Sequence, residues 1–154
     1  MPHVVAILVF LAISAYYLSP VFDGYSLKQD DINNHVGVAK EIYDCLDNDG
    51  IWHLEQSYMP NMIKNVSYDT ICHEHLEYYS LKSTKFILDK SNFKIIDIQL
   101  NKVNGGSFAV TVAKKNSKKF DKSKLVDWLE KKEDMYNYNK LSTIKSFTAN
   151  VHKH

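Results

Sequence analysis

The chain has 154 residues, 45% hydrophobic and 24% charged, the length and composition of a globular protein that can bury a real core. Nineteen basic residues against 18 acidic ones leave a formal net charge of +1, so bulk charge makes no case for nucleic acid or an anionic membrane as a partner. Every basic residue is lysine, which excludes an arginine fork from any phosphate site, and two cysteines, Cys45 and Cys72, exclude a disulfide framework and a four-cysteine zinc site.

Val4–Leu18 carries no charge but is shorter than a membrane span, and no lysine precedes it as a secretory signal would require. Its first half, Val4 to Leu11, is expected to be a strand buried on both faces of a parallel sheet, and a cytoplasmic location follows. An anchor or a signal peptide remains the alternative. Ser19 to Asp31 is a polar connection with Gly24. Asn33 or Asn34 is placed to cap a helix running to about Leu46, with Val36, Ala39, Ile42, Tyr43 and Leu46 on its apolar face. Asp47-Asn48-Asp49-Gly50 is a stop and a turn, and Ile51 to Gln56 alternates as a strand. Strand, helix, turn and strand make an α/β unit, and such units hold ligands at the carboxyl ends of their strands, where Glu55, Gln56 and Tyr58 lie.

Met59 to Asn65 is expected to form about one helical turn. Ser83 to Ser91 fits a helix with Phe86 and Ile87 toward the core. Phe93 to Leu100 and Ser107 to Lys114 read as strands joined by a hairpin loop containing Asn104-Gly105-Gly106. Beyond Lys114, lysines interspersed with acids predict a solvated C-terminal helix with Leu125, Val126, Leu129 and Tyr136 as its apolar stripe.

Tyr68 to Tyr79 is the chemically dense stretch: two imidazoles, His73 and His75, beside Asp69, Glu74 and Glu77 and three phenols. Three readings compete for it. His73 and His75 share a strand face and could hold a metal ion, but a third ligand is not evident and position 77, where a zinc protease would need histidine, is Glu. The stretch could also be a hydrogen-bonded structural element. In the third reading it is an acid/base site, because histidine is a general base near neutral pH and a neighbouring carboxylate orients it.

Gly50-Ile51-Trp52, Glu55-Gln56-Ser57-Tyr58-Met59-Pro60, Tyr68-Asp69-Thr70-Ile71-Cys72-His73-Glu74-His75-Leu76-Glu77-Tyr78-Tyr79-Ser80-Leu81 and Asn104-Gly105-Gly106-Ser107-Phe108 follow one another in an order and spacing that resemble the sugar C-methyltransferase family, over about residues 35–113. The resemblance implies an α/β fold: part of a Rossmann-like methyltransferase core (residues 1–60), then the start of a C-terminal domain (61–154) with a hairpin and a C-terminal helix. It implies S-adenosylmethionine as cofactor and a nucleotide-linked keto-deoxysugar as substrate. His75 would be the general base, steadied by Glu74, with His73 beside it. Tyr58, Tyr68, Tyr78, Asn104, Gly105 and Ser107 would hold the substrate, and Glu55 would face the cofactor.

The chain departs from the family where Cys72 stands for a frequent tyrosine, Asn104 for a histidine and Ala109 for an arginine. With five glycines it also lacks the family's glycine-containing cofactor loop. A truncated polypeptide is therefore expected, with a partner chain supplying the cofactor-binding half. The alternatives are a non-catalytic remnant that serves as an interaction module and a metal binder through His73 and His75.

Overall fold

A computed structural model describes residues 30–68, 71, 77–138 and 140–153. The expected Val4–Leu11 strand lies outside these residues. Helix α1 (Asp30–Cys45) is already under way at Asp30, ahead of the caps expected at Asn33 or Asn34. Its expected apolar face is the one that packs: Ala39 is buried, and Ile42, Tyr43 and Leu46 lie against the core. The helix ends before the Asp47–Gly50 turn, closed by the Gly50 N–H donating to the Asp47 carbonyl at 3.0 Å. Strand β1 (Ile51–Ser57) follows, then α2 (Met59–Asn65), whose first turn accommodates Pro60 because a proline there removes no helical hydrogen bond.

Helix α3 (Leu81–Lys90) starts two residues earlier than its sequence pattern suggests, because Ser80 and Ser83 form a reciprocal capping box. The core-facing residues are Leu81, Thr84 and Leu88, three and four apart. Phe86, expected to face the core, lies on the opposite side of the helix from them and is 51% exposed. Strand β2 (Phe93–Asn101), a 3₁₀ turn (Val103–Gly105) and strand β3 (Ser107–Lys114) form the expected hairpin. Two helices follow where one was expected: α4 (Lys124–Tyr136) and α5 (Leu141–Val151), separated by Asn137 in a left-handed conformation that ends α4.

The result is a mixed α/β fold. Among the described residues the strands form one sheet in the order β1-β3-β2, both pairings antiparallel. β1 and β2 therefore run parallel to each other with β3 inserted between them, and α2 and α3 lie in the connection. The sheet draws strands from both sides of residue 60. β3 reads as alternating in sequence yet is buried almost throughout, because it is the middle strand. α1, α3 and α4 cover one face. The core there is built on Phe93, Phe108, Ile98, Val110, Val112, Leu81, Leu88, Val126 and Leu129. Each such side chain contributes about 1.5–3 kcal/mol when fully buried. Ile51, His53 and Glu55 project from the opposite face of β1 and are exposed.

The outer edge of β2 is covered where the Ser123 N–H donates to the Ile96 carbonyl at 2.7 Å and Lys94 Nζ reaches the Ser117 and Phe120 carbonyls. The mixed charges after Lys114 behave as expected of a solvated surface: Lys85 pairs with Glu130, Lys82 with Asp134 and Lys122 with Asp127. No helix among the described residues is long and apolar enough to cross a membrane.

Candidate functional site

The topology brings the carboxyl ends of β1 and β2 together at the amino end of β3. Ser107 is in register with Ser57 on one side and with Asn101 on the other. Here Glu55, Asn101 and Ser107 converge on one face of the sheet. Asn101 Nδ2 donates to Glu55 Oε1 at 2.7 Å. Ser107 Oγ contacts the same carboxylate oxygen and lies 2.6 Å from Asn101 Oδ1, so its single proton serves one of the two acceptors at a time. The Val103 N–H donates to Asn101 Oδ1 at 2.9 Å and holds the amide oriented. The hydrogen bonds from Ser107 and Asn101 hold the Glu55 carboxyl below its ordinary range, because they favour the charged form. Glu55 is thus an exposed, ionised carboxylate fixed at the carboxyl end of a strand.

The turn beside it needs its glycines. Gly105 and Gly106 have φ of 78° and 124°, conformations that residues with a Cβ rarely adopt. A Cβ at Gly106 would stand 2.5 Å from Asn61 Nδ2 and 2.9 Å from Asn61 Cβ, so α2 packs directly on this turn. The Tyr58 N–H donates to the Gly106 carbonyl at 3.1 Å. Asn104 lies within the same 3₁₀ turn.

Tyr58, expected at the substrate, is buried. Its hydroxyl donates to Glu133 Oε1 at 2.8 Å. Glu133 comes from α4, is itself buried, and also accepts from the Leu81 N–H (2.6 Å) and the Lys82 N–H (3.1 Å) at the start of α3. A carboxylate at a helix amino terminus satisfies donors the helix leaves open. Burial, with the Glu133 charge and hydrogen bond, pushes the Tyr58 hydroxyl far above the usual tyrosine range.

Tyr68 is 51% exposed and Tyr78 half-buried. His73, Glu74 and His75 lie outside the described residues. The chain on either side of them is anchored at this end of the sheet. A Cβ on Gly105 would come within 3.8 Å of Ser67 Oγ, and the Met59 N–H donates to the Tyr79 carbonyl at 2.8 Å, with Tyr58 and Tyr79 bridged in parallel.

Three groups escaped the sequence reading. Asn101 was expected only as a loop residue; its place three residues before the Asn104-Gly105-Gly106-Ser107 run is the signal that could have found it. His35 on α1 stands 2.9 Å from Glu77 Oε2 and 3.1 Å from the Tyr79 hydroxyl, which itself donates to Glu77. This group borders a cleft of about 190 Å³ between α1, β1 and α3, and nothing in the spacing of residues 35 and 77 announces it. The third is a larger cleft between α2 and α4 lined by aromatic and lysine side chains. Among the described residues no three His, Cys, Asp or Glu side chains converge as a metal site.

No family profile matches the chain. A 65-residue segment is 35% identical to C-methyltransferase NovU of Streptomyces niveus, a match that takes in 42% of this chain and 16% of that protein. The matched part thus spans about a sixth of the relative's length. Over that segment the chain is related to a methyltransferase.

Proposed function

We propose that the chain is an S-adenosylmethionine-dependent C-methyltransferase polypeptide that carries the proton-abstracting and substrate-holding part of the site, with a nucleotide-linked keto-deoxysugar as substrate. The observation that carries this reading is the gathering of Glu55, Asn101, Ser107 and the Gly105–Gly106 turn at the carboxyl ends of two parallel strands, in a chain that matches a C-methyltransferase. Crevices at such strand ends are where open α/β sheets hold their ligands.

A carbon beside a ketone must lose a proton before it can attack a methyl group. In this reading His75 removes that proton, and Glu74 steadies the imidazolium that results. A donor beside them, His73 or Tyr68, holds the developing enolate oxygen. Asn104 and Gly105 position the sugar, with Tyr78 beside it, while the buried Ser107 acts behind them by holding Glu55 and Asn101, and Tyr58 fixes the wall through Glu133.

S-adenosylmethionine, when bound, supplies the electrophilic methyl on a sulfonium. Glu55 fits the cofactor's cationic part, being exposed, ionised and held in place by two neighbours. The described residues offer no glycine-rich cradle for its nucleoside, since Gly106 packs against Asn61 of α2 and Gly105 lies beside Ser67. A partner chain supplying that half belongs to the proposal.

The test is methyl transfer to a nucleotide-linked keto-deoxysugar by the full chain, alone and with a candidate partner. His75→Asn should lower turnover by about 100-fold or more while leaving the thermal melt unchanged. Failure to detect S-adenosylmethionine binding by calorimetry, both alone and with the partner, overturns the reading.

A further inference from the structure

Thr84 is the polar residue on the core-facing stripe of α3, between Leu81 and Leu88. It is 4% exposed, and among the described residues its hydroxyl is the buried side-chain group with no hydrogen-bond partner. A helical threonine ordinarily returns its hydroxyl to a carbonyl one turn back. Here that carbonyl, on Ser80, already accepts from the Thr84 N–H and from the Ser83 hydroxyl, each at 3.0 Å. The capping box thus takes the acceptor that Thr84 would use. A hydroxyl buried in this way has lost water and gained nothing in return.

Thr84 lines the cleft of about 190 Å³ between α1, β1 and α3. The walls around it are apolar: Val38 from α1, Trp52 and Leu54 from β1, Ile87 and Leu88 from α3. Trp52 is backed by the buried Phe93, with ring centroids 5.6 Å apart, so one wall is a fixed flat surface. His35 and Tyr79 complete the lining, edge to face at 6.0 Å and 88°. The Glu77 carboxylate beside them is engaged by both. Among the described residues no lysine, aspartate or glutamate lines the cleft.

These features select a ligand. A lining without a fixed charge suits a neutral molecule. The size suits a single ring, since an apolar cavity of about 150 Å³ takes up benzene. A flat indole wall suits a flat ring. The unpaired hydroxyl suits a group that both donates and accepts, as another hydroxyl does. A sugar ring would leave several hydroxyls unpaired against these walls.

We propose that this cleft binds a phenol, with its ring against Trp52 and its hydroxyl paired with Thr84 Oγ1. Threonine in a helix occupies either of two χ1 rotamers, so a rotation about one bond turns the hydroxyl toward the ligand. The site stands on these residues and not on the methyl-transfer reading.

The test is calorimetry on the full chain with phenol, benzene and benzoate, beside a thermal melt of the ligand-free protein. Saturable phenol binding with a Kd on the order of 0.1–1 mM is expected from the size of the ligand. Benzene should bind about tenfold more weakly, for want of the hydrogen bond, and benzoate more weakly still. Thr84→Val should weaken phenol about tenfold and leave benzene unchanged. The same variant should raise the melting temperature of the ligand-free protein by about 2–4 °C, because it removes an unpaired buried hydroxyl. A threonine with a structural hydrogen bond would give the opposite sign. Val38→Trp, at a 38% exposed position on the lining, should fill the cleft and abolish binding of both phenol and benzene without lowering the melt. No saturable phenol binding, benzene or benzoate binding as tightly as phenol, or unchanged phenol affinity in Thr84→Val overturns the proposal. So does phenol binding that survives Val38→Trp.

Discussion

Replacing Glu133 by alanine tests whether one buried carboxylate ties α3, α4 and the end of β1 together. The carboxylate accepts from the Tyr58 hydroxyl, the Leu81 N–H and the Lys82 N–H. Tyr58 and Leu81 are 4% and 0% exposed, so two of these donors have no water to turn to when the carboxylate goes. A buried donor left unpaired costs about 1–3 kcal/mol, so Glu133→Ala should lose about 3–4 kcal/mol. That is a large part of the roughly 5–15 kcal/mol that holds a typical domain folded. Glu133→Gln keeps an acceptor and should cost about 1–2 kcal/mol, as should Tyr58→Phe, which removes one donor and leaves no group stranded.

The assay is urea denaturation followed by circular dichroism, on both single variants and the double variant. A coupling energy of about 1–2 kcal/mol is expected between Tyr58→Phe and Glu133→Ala, because they share one hydrogen bond. A Glu133→Ala variant within about 0.5 kcal/mol of the parent, the range of an ordinary surface change, would refute the reasoning. Titration gives a second view. Burial and Glu133 keep Tyr58 protonated in the folded protein far above the usual tyrosine range. The unfolded chain releases that proton near pH ~10, so the stabilisation is complete below that pH and declines above it by about 1.4 kcal/mol per pH unit. Tyr58→Phe should remove this alkaline decline; an equal decline in the variant would show that Tyr58 is not its source.

Glu55 should titrate below an ordinary glutamate in a carbon-13 NMR experiment, and Ser107→Ala should bring it back toward the usual value, since Ser107 is the main cause of the shift; an unmoved Glu55 in that variant counts against the cluster. Gly106→Ala places a Cβ 2.9 Å from Asn61 Cβ at a φ of 124°, and should cost about 1–3 kcal/mol in a thermal melt. Gly105→Ala, with no contact closer than 3.8 Å at φ 78°, should cost about 1–2 kcal/mol, the smaller loss of the two. Phe93→Ala removes a fully buried ring packed against Tyr43 and Trp52, so a loss of about 3–5 kcal/mol and a weaker near-ultraviolet dichroism signal are expected.

The strands and their limits were legible in the sequence because alternation and turn residues are local properties of the backbone. Ile51–Ser57, Phe93–Asn101 and Ser107–Lys114 stand within a residue of where the pattern placed them. The same holds for the Asp47–Gly50 turn and the glycine turn before β3. Phe86 was misplaced because hydrophobicity alone suggests a core residue, whereas the face of α3 is set by Leu81, Thr84 and Leu88 together. The second C-terminal helix was hidden because no glycine or proline marks the break at Asn137.

The sequence by itself determined which residues can do chemistry and roughly where the elements lie, since both follow from residue type and near-neighbour spacing. Only the tertiary structure decided who meets whom. It inserted β3 between two parallel strands and so joined Glu55 to Asn101 and Ser107 across 46 and 52 positions. It also turned Glu133, one more acid in a charged helix, into the buried acceptor for Tyr58 and the start of α3. Such partners are chosen by the packing of whole elements against one another, and no local pattern encodes that choice.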